Sequence, residues 1–139
     1  MEANPQSLLV VEDSPEYGLL VVEMLQATFG REVKVERTHL ASDGAFRLRR
    51  GLVDCVLLDL GLPDADGLEA LELMNKAAPG VPVVILSQNK EEPLTLEAMR
   101  EGAQDYLWKG ATTSHELRRA ILYAIERARR DLPAGPATA

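Results

Sequence analysis

The sequence predicts an α/β fold built on one parallel sheet with helices on both faces. Short apolar runs rich in valine, leucine and isoleucine alternate with stretches of helical period, five of each along 139 residues, the pattern of a parallel sheet with crossover helices. The strongest runs, at 8–11, 55–58 and 83–86, show no polar alternation, as expected of strands buried on both faces. Four of the five runs then stop at a polar residue of definite type.

The first run, Leu8-Leu9-Val10-Val11, ends at Glu12 and Asp13. A helix starts after it, with Ser14 as cap and Pro15 at its first position. Tyr17, Leu20, Val21, Met24 and Leu25 recur at helical spacing and predict its buried face; Gly30 ends it. Residues 33–37 alternate and read as a half-exposed strand. A short helix over 42–50 closes at Gly51. The run at 53–60 is the central strand and ends at Asp59, followed by the loop residues Gly61, Pro63 and Gly67. An amphipathic helix covers 67–74 and stops near Pro79-Gly80. A buried strand over 81–87 ends at Ser87. A helix over 93–101 starts at proline and stops at Gly102. A short strand over 105–108 ends at Lys109. Thr113-Ser114-His115-Glu116 matches a capping box, and Leu117, Ala120, Ile121, Ala124 and Ala128 give the buried face of a long last helix.

The length fits one domain, assigned to residues 1–130, with 131–139 as a flexible tail or linker stub. Apolar residues make up 46% and charged residues 27%, enough for a sizeable core. No run approaches the roughly 18 apolar residues of a membrane span, and residues 1–7 do not have the form of a secretory signal. The single cysteine, Cys55, lies inside the central run and reads as a small buried hydrophobe. These features point to the cytoplasm. A net charge of −7 argues against a surface made for nucleic acid.

In an open parallel sheet, ligands bind beyond the carboxyl ends of the strands. Glu12, Asp13, Asp59, Ser87 and Lys109 all fall at that edge. One acid or lysine at a strand end is ordinarily a solvated loop charge; complementary groups on four ends are the signature of a site. Converging carboxylates need a counter-charge. Oxygen ligands without a placed histidine or cysteine suit Mg²⁺ better than zinc. With Asp59 as acceptor, Ser87 as hydrogen-bond donor and Lys109 as point charge, the chemistry is phosphoryl transfer by positioning and electrostatics.

These residues resemble a known family. Residues 9–15, LVVEDSP, 57–67, LLDLGLPDADG, 83–87, VVILS, and 102–109, GAQDYLWK, are similar to the receiver (phosphoacceptor) domain of two-component response regulators, over about residues 7–130. The resemblance implies the flavodoxin-like sheet order 2-1-3-4-5. It implies Asp59 as the phosphorylated aspartate, Asp13 as a direct Mg²⁺ ligand, Glu12 as a ligand largely through water, and Gly61 as a ligand through its backbone carbonyl. Lys109 would contact the phosphoryl group, and Ser87 and Tyr106 would be the switch hydroxyl and switch aromatic. The donor would be a histidine kinase or histidine phosphotransfer protein. The output would be a changed surface on helix 4, strand 5 and helix 5, offered to a downstream protein or to a second copy in a phosphorylation-dependent homodimer. Such a protein catalyses only its own phosphorylation and dephosphorylation.

No output domain is expected after the last helix, so the chain would be either a single-domain regulator or the regulatory part of a longer product cut in its linker. A scaffold that binds partners without phosphorylation is the alternative reading; such forms normally lose an acid, the acceptor or the lysine, and none is lost here. Leu19 and Val22, off the core stripe of the first helix, are candidates for docking the histidine-bearing partner, and Trp108 is a candidate anchor. His39 and His115 read as surface residues. One position departs from the family pattern: Gly110 stands where a proline usually follows the lysine. Asn89 and Gly61 occupy positions that tune phosphoryl-group lifetime in the family.

Overall fold

A computed structural model describes residues 4–88 and 91–131; Asn89 and the tail from residue 132 lie outside them. Along the chain run β1 (Ser7–Val11), α1 (Pro15–Phe29), β2 (Lys34–Thr38), α2 (Ala41–Arg49), β3 (Cys55–Asp59), β4 (Gly61–Leu62), β5 (Ala65–Asp66), α3 (Glu69–Ala77), β6 (Val83–Ser87), α4 (Glu92–Arg100), β7 (Asp105–Trp108) and α5 (Ser114–Asp131). Five strands form one parallel sheet in the order β2-β1-β3-β6-β7. This is the expected 2-1-3-4-5 order, with β6 and β7 as its fourth and fifth strands. The small antiparallel pair β4-β5 lies within the stretch expected to be loop.

Successive strand residues point to opposite faces, and the core divides accordingly. Leu8, Val10, Cys55, Leu57, Val84 and Leu86 meet α1 and α5 on one side. Leu9, Val11, Val56, Leu58, Val83 and Ile85 meet α2 and α3 on the other, where Ala98 of α4 also packs. Because both faces are covered, β1, β3 and β6 are buried at every residue. The edge strands β2 and β7 are only partly buried, and β2 is the one whose sequence alternates. At Gly44 of α2, an added Cβ would lie 2.9 Å from Val11 Cγ2, so this helix sits against the sheet at a distance that excludes a side chain.

Helix α1 starts as expected: Pro15 is its first residue and Ser14 Oγ accepts the Tyr17 N–H at 3.2 Å. Its buried stripe is rotated from the expected one. Gly18, Val21, Leu25 and Phe29 face the core, whereas Leu20 is 48% exposed. At about 100° per residue, Leu20 falls farther from that stripe than Val22 does; Val22 is half-buried and Leu19 exposed. Helix α5 has the capping box: Thr113 Oγ1 accepts Glu116 N–H at 3.1 Å, and Glu116 Oε1 accepts Thr113 N–H at 3.0 Å.

Helix α2 has no cap from its own residue Leu40. The cap comes from the loop after β4, where Asp64 accepts the N–H groups of Ala41 (2.8 Å, Oδ1) and Ser42 (3.0 Å, Oδ2). Slight desolvation of Asp64 raises its pKa, but these hydrogen bonds outweigh it and hold the carboxyl below the ordinary aspartate value. No helix among the described residues is long and apolar enough to cross a membrane.

Candidate phosphoacceptor site

The parallel register brings the ends of four strands together. Asp59 closes β3 and pairs with Leu86, one residue before Ser87. Ser87 pairs with Trp108, and Ser87 O accepts the Lys109 N–H at 2.8 Å. Glu12 continues β1, its N–H bonded to Thr38 O at 3.0 Å. All four elements open on one cleft of about 410 Å³, lined by Glu12, Asp13, Asp59, Gly61, Ser87 and Lys109 among others.

Carboxylate oxygens of Glu12, Asp13 and Asp59 all lie within 4.8 Å of one another. Glu12 is 3% exposed and Asp59 7%, while Asp13 faces solvent. Lys109 reaches in from β7, its Nζ 2.6 Å from Glu12 Oε1 and 3.4 Å from Asp59 Oδ1. Backbone donors hold the acids in place: Ser14 N–H on Glu12 Oε2 at 3.0 Å and Gly61 N–H on Asp59 Oδ1 at 3.0 Å. Burial pushes the Glu12 carboxyl above its ordinary value. Hydrogen bonds from Lys109 and Ser14 oppose the rise, and the Asp59 charge adds to it. Three carboxylates against one ammonium leave excess negative charge at an open, oxygen-lined position. That donor set fits a hard divalent cation that keeps some of its waters.

The two residues singled out as a switch differ in place: Ser87 lines the cleft, and Tyr106 is not among its lining residues. Ser87 is buried. Tyr106, on β7, is half-buried and packs against the core on the α2–α3 side. Trp108 is 37% exposed, and its indole N–H donates to Gln88 O at 3.1 Å, joining the end of β7 to the loop after β6. The same ring lies over Gly110, where an added Cβ would come within 2.6 Å of the indole. The residue after the lysine is therefore small because Trp108 occupies its side-chain space. No peptide bond among the described residues is cis, Lys109–Gly110 included.

Sequence reading missed the contact of Tyr17 with Lys109. Tyr17 was assigned only to packing, yet Lys109 Nζ lies 4.6 Å from its ring centroid. Desolvation first, then the charges of Glu12 and Asp59, push its hydroxyl up to about 12. Its place one helical turn after the acid pair was the available signal. His39 and His115 are exposed and away from the cleft.

Comparison with known proteins agrees with this geometry. The family model described as "Response regulator receiver domain" matches residues 8–122. The luminescence regulatory protein LuxO of Vibrio campbellii is 31% identical over 119 residues, covering 86% of this chain and 25% of LuxO. The KDP operon transcriptional regulatory protein KdpE of Escherichia coli is 41% identical over 85 residues, 52% of this chain and 37% of KdpE. The chain thus spans a quarter to a third or so of these relatives. Among solved structures, a response regulator receiver domain protein of Clostridium thermocellum superposes with TM-score 0.77 at 26% identity, over 89% of this chain and 97% of that one. The receiver domain of the sensor histidine kinase PA1611 from Pseudomonas aeruginosa, which has a magnesium ion coordinated in its active site cleft, gives 0.75 at 25% identity over 89% and 98%. Sheet order, acidic cleft and family match agree: the chain belongs to the response regulator receiver domain family.

Proposed function

We propose that this receiver accepts a phosphoryl group on Asp59 from a histidine kinase or histidine phosphotransfer protein, in the cytoplasm. The observation that carries the reading is the cluster of Glu12, Asp13 and Asp59 oxygens within 4.8 Å, with the Lys109 ammonium set among them. Asp59 is the nucleophile: one carboxylate oxygen bonds to phosphorus as the phosphorus–nitrogen bond to the donor imidazole breaks, and the imidazole leaves with the electron pair. Glu12, Asp13, Asp59 and the Gly61 carbonyl would hold Mg²⁺, which supplies charge neutralisation for the transferring group. The magnesium ion coordinated in the active site cleft of the P. aeruginosa neighbour supports a metal in this cleft. Lys109 neutralises a further phosphoryl oxygen.

The signal leaves through protein contacts. The new phosphoryl oxygens draw the Ser87 hydroxyl, Tyr106 turns into the space it vacates, and the α4-β7-α5 surface changes. That surface carries the exposed apolar residues Leu96, Met99, Trp108 and Tyr123, suited to a downstream protein or a second copy. The exposed Leu19 of α1, with the half-buried Val22 one turn on, would be the donor's docking site. The receiver unit would run from residue 1 to the end of α5 at Asp131, one residue past the expected boundary, with the residues beyond it as a tail or linker.

The test is incubation with Mg²⁺ and acetyl phosphate or phosphoramidate, read by intact mass. We expect one phosphoryl group on wild type and none on Asp59→Asn. An unlabelled wild type, beside a receiver that does label, would make the chain a scaffold that works without phosphate.

A further inference from the structure

We infer that Tyr17 is a positioning residue for Lys109, its ring holding the ammonium over the cleft while the ammonium changes partners. The inference rests on the phosphoacceptor reading and names a residue that reading does not use.

Lysine is a point charge on a flexible four-carbon stem. Here its covalent neighbour is Gly110, which adds no stiffness to the strand end. Before transfer the Lys109 ammonium is engaged mainly by Glu12, at 2.6 Å, and less closely by Asp59, at 3.4 Å. To meet a phosphoryl group on Asp59 it must loosen the Glu12 contact. A carboxylate is a poor holder during that exchange, because it competes for the same N–H donors. An aromatic face attracts the cation through its quadrupole and takes no directed hydrogen bond, so it leaves those donors free.

Tyr17 is placed for this. Its ring centroid is 4.6 Å from Lys109 Nζ, within the roughly 6 Å over which the attraction operates. The ring is anchored independently of the lysine. Its backbone N–H is tied to Ser14 Oγ at 3.2 Å in the first turn of α1, and it packs against the core on the α1–α5 side. With its side chain 8% exposed, Lys109 is shielded from the water that would weaken the contact.

The experiment compares wild type, Tyr17→Phe and Tyr17→Leu, each checked for native folding. By NMR, the Lys109 ε-methylene protons, identified by their loss in Lys109→Met, should be ring-shifted upfield in wild type and Tyr17→Phe and unshifted in Tyr17→Leu. Labelling by acetyl phosphate with Mg²⁺ should slow by roughly three- to thirtyfold in Tyr17→Leu, and Tyr17→Phe should recover to within about twofold of wild type. If Tyr17→Leu does not fold, Tyr17→Met is held to the same criteria. An unshifted Lys109 methylene in wild type, a Tyr17→Leu rate equal to wild type, or a Tyr17→Phe as slow as Tyr17→Leu overturns the inference. A labelled wild type matched by Tyr17→Leu ends this inference and leaves the phosphoacceptor reading standing; an unlabelled wild type ends both.

Discussion

Lys109 Nζ sits 2.6 Å from Glu12 Oε1 and 3.4 Å from Asp59 Oδ1, so in this state the lysine is paired with Glu12 more closely than with Asp59. It acts here as the internal counter-ion of a buried carboxylate. A bound cation would relieve the same excess of negative charge and release the lysine.

Lys109→Met tests that division of labour. Without Mg²⁺ the variant should lose about 2–3 kcal/mol of stability, below the usual cost of breaking a buried pair, because Glu12, its carboxyl already pushed up by burial, can take up a proton. Added Mg²⁺ should raise the Tm of the variant more than that of wild type. Equal rises would show that lysine and cation do not share a role.

Gly110→Ala puts a methyl group 2.6 Å from the Trp108 ring. Gly110 is not among the positive-φ glycines, so the cost is steric and should be about 1–3 kcal/mol. In a Trp108→Ala background most of that cost should vanish. A double-mutant cycle by denaturant unfolding measures the coupling, and strict additivity would remove the ring as the cause. Trp108 is the single tryptophan, so Gly110→Ala should also shift the emission spectrum.

Asp64→Ala removes the cap of α2 without touching the cleft. The expected loss is about 1 kcal/mol at pH 7. The Asp64 carboxyl is held below its ordinary value of 3.8, so its contribution is present above the unfolded pKa and is lost as pH falls through the folded one. The stability gap between wild type and Asp64→Ala should therefore be constant near neutrality and close in acid. A gap independent of pH down to strong acid would mean the charge is not what caps the helix.

Cys55 is fully buried, and burial pushes its thiol up to about 12, so almost no thiolate forms near neutrality. A disulfide reagent at pH 8 should modify it only at the rate of global unfolding, and denaturant should expose one equivalent. Fast modification of the native protein would contradict the packing of β3.

The architecture and the residues that line the candidate site were legible in the sequence because both depend on local pattern. Strands buried on both faces must be apolar throughout, so 8–11, 55–58 and 83–86 announced themselves. The register of a parallel sheet then carried Glu12, Asp13, Asp59, Ser87 and Lys109 to one edge. Helix starts at Ser14 and Thr113 were readable for the same reason, since a cap bonds to residues two or three positions away.

What tertiary structure decided involves partners distant in the chain. The stripe of α1 was misplaced at Leu20 because several apolar faces fit that segment, and only packing against β1, β2 and α5 selects one. The Asp64 cap on α2 spans 23 residues, and no local motif marks it. The short β4-β5 pair lay hidden among Gly61, Pro63 and Gly67, whose turn chemistry dominates so brief a pairing. Gly110 looked like a departure from a proline pattern; the indole of Trp108 lying over it supplies the steric reason. Tyr17 read as a core residue, since helical period reports which side a ring faces and not the charge it meets there. Composition and spacing therefore determined the fold and the chemistry of its edge. Contacts between distant segments decided which groups surround Lys109, because a side chain's electrostatic surroundings are set by the neighbours that folding brings to it.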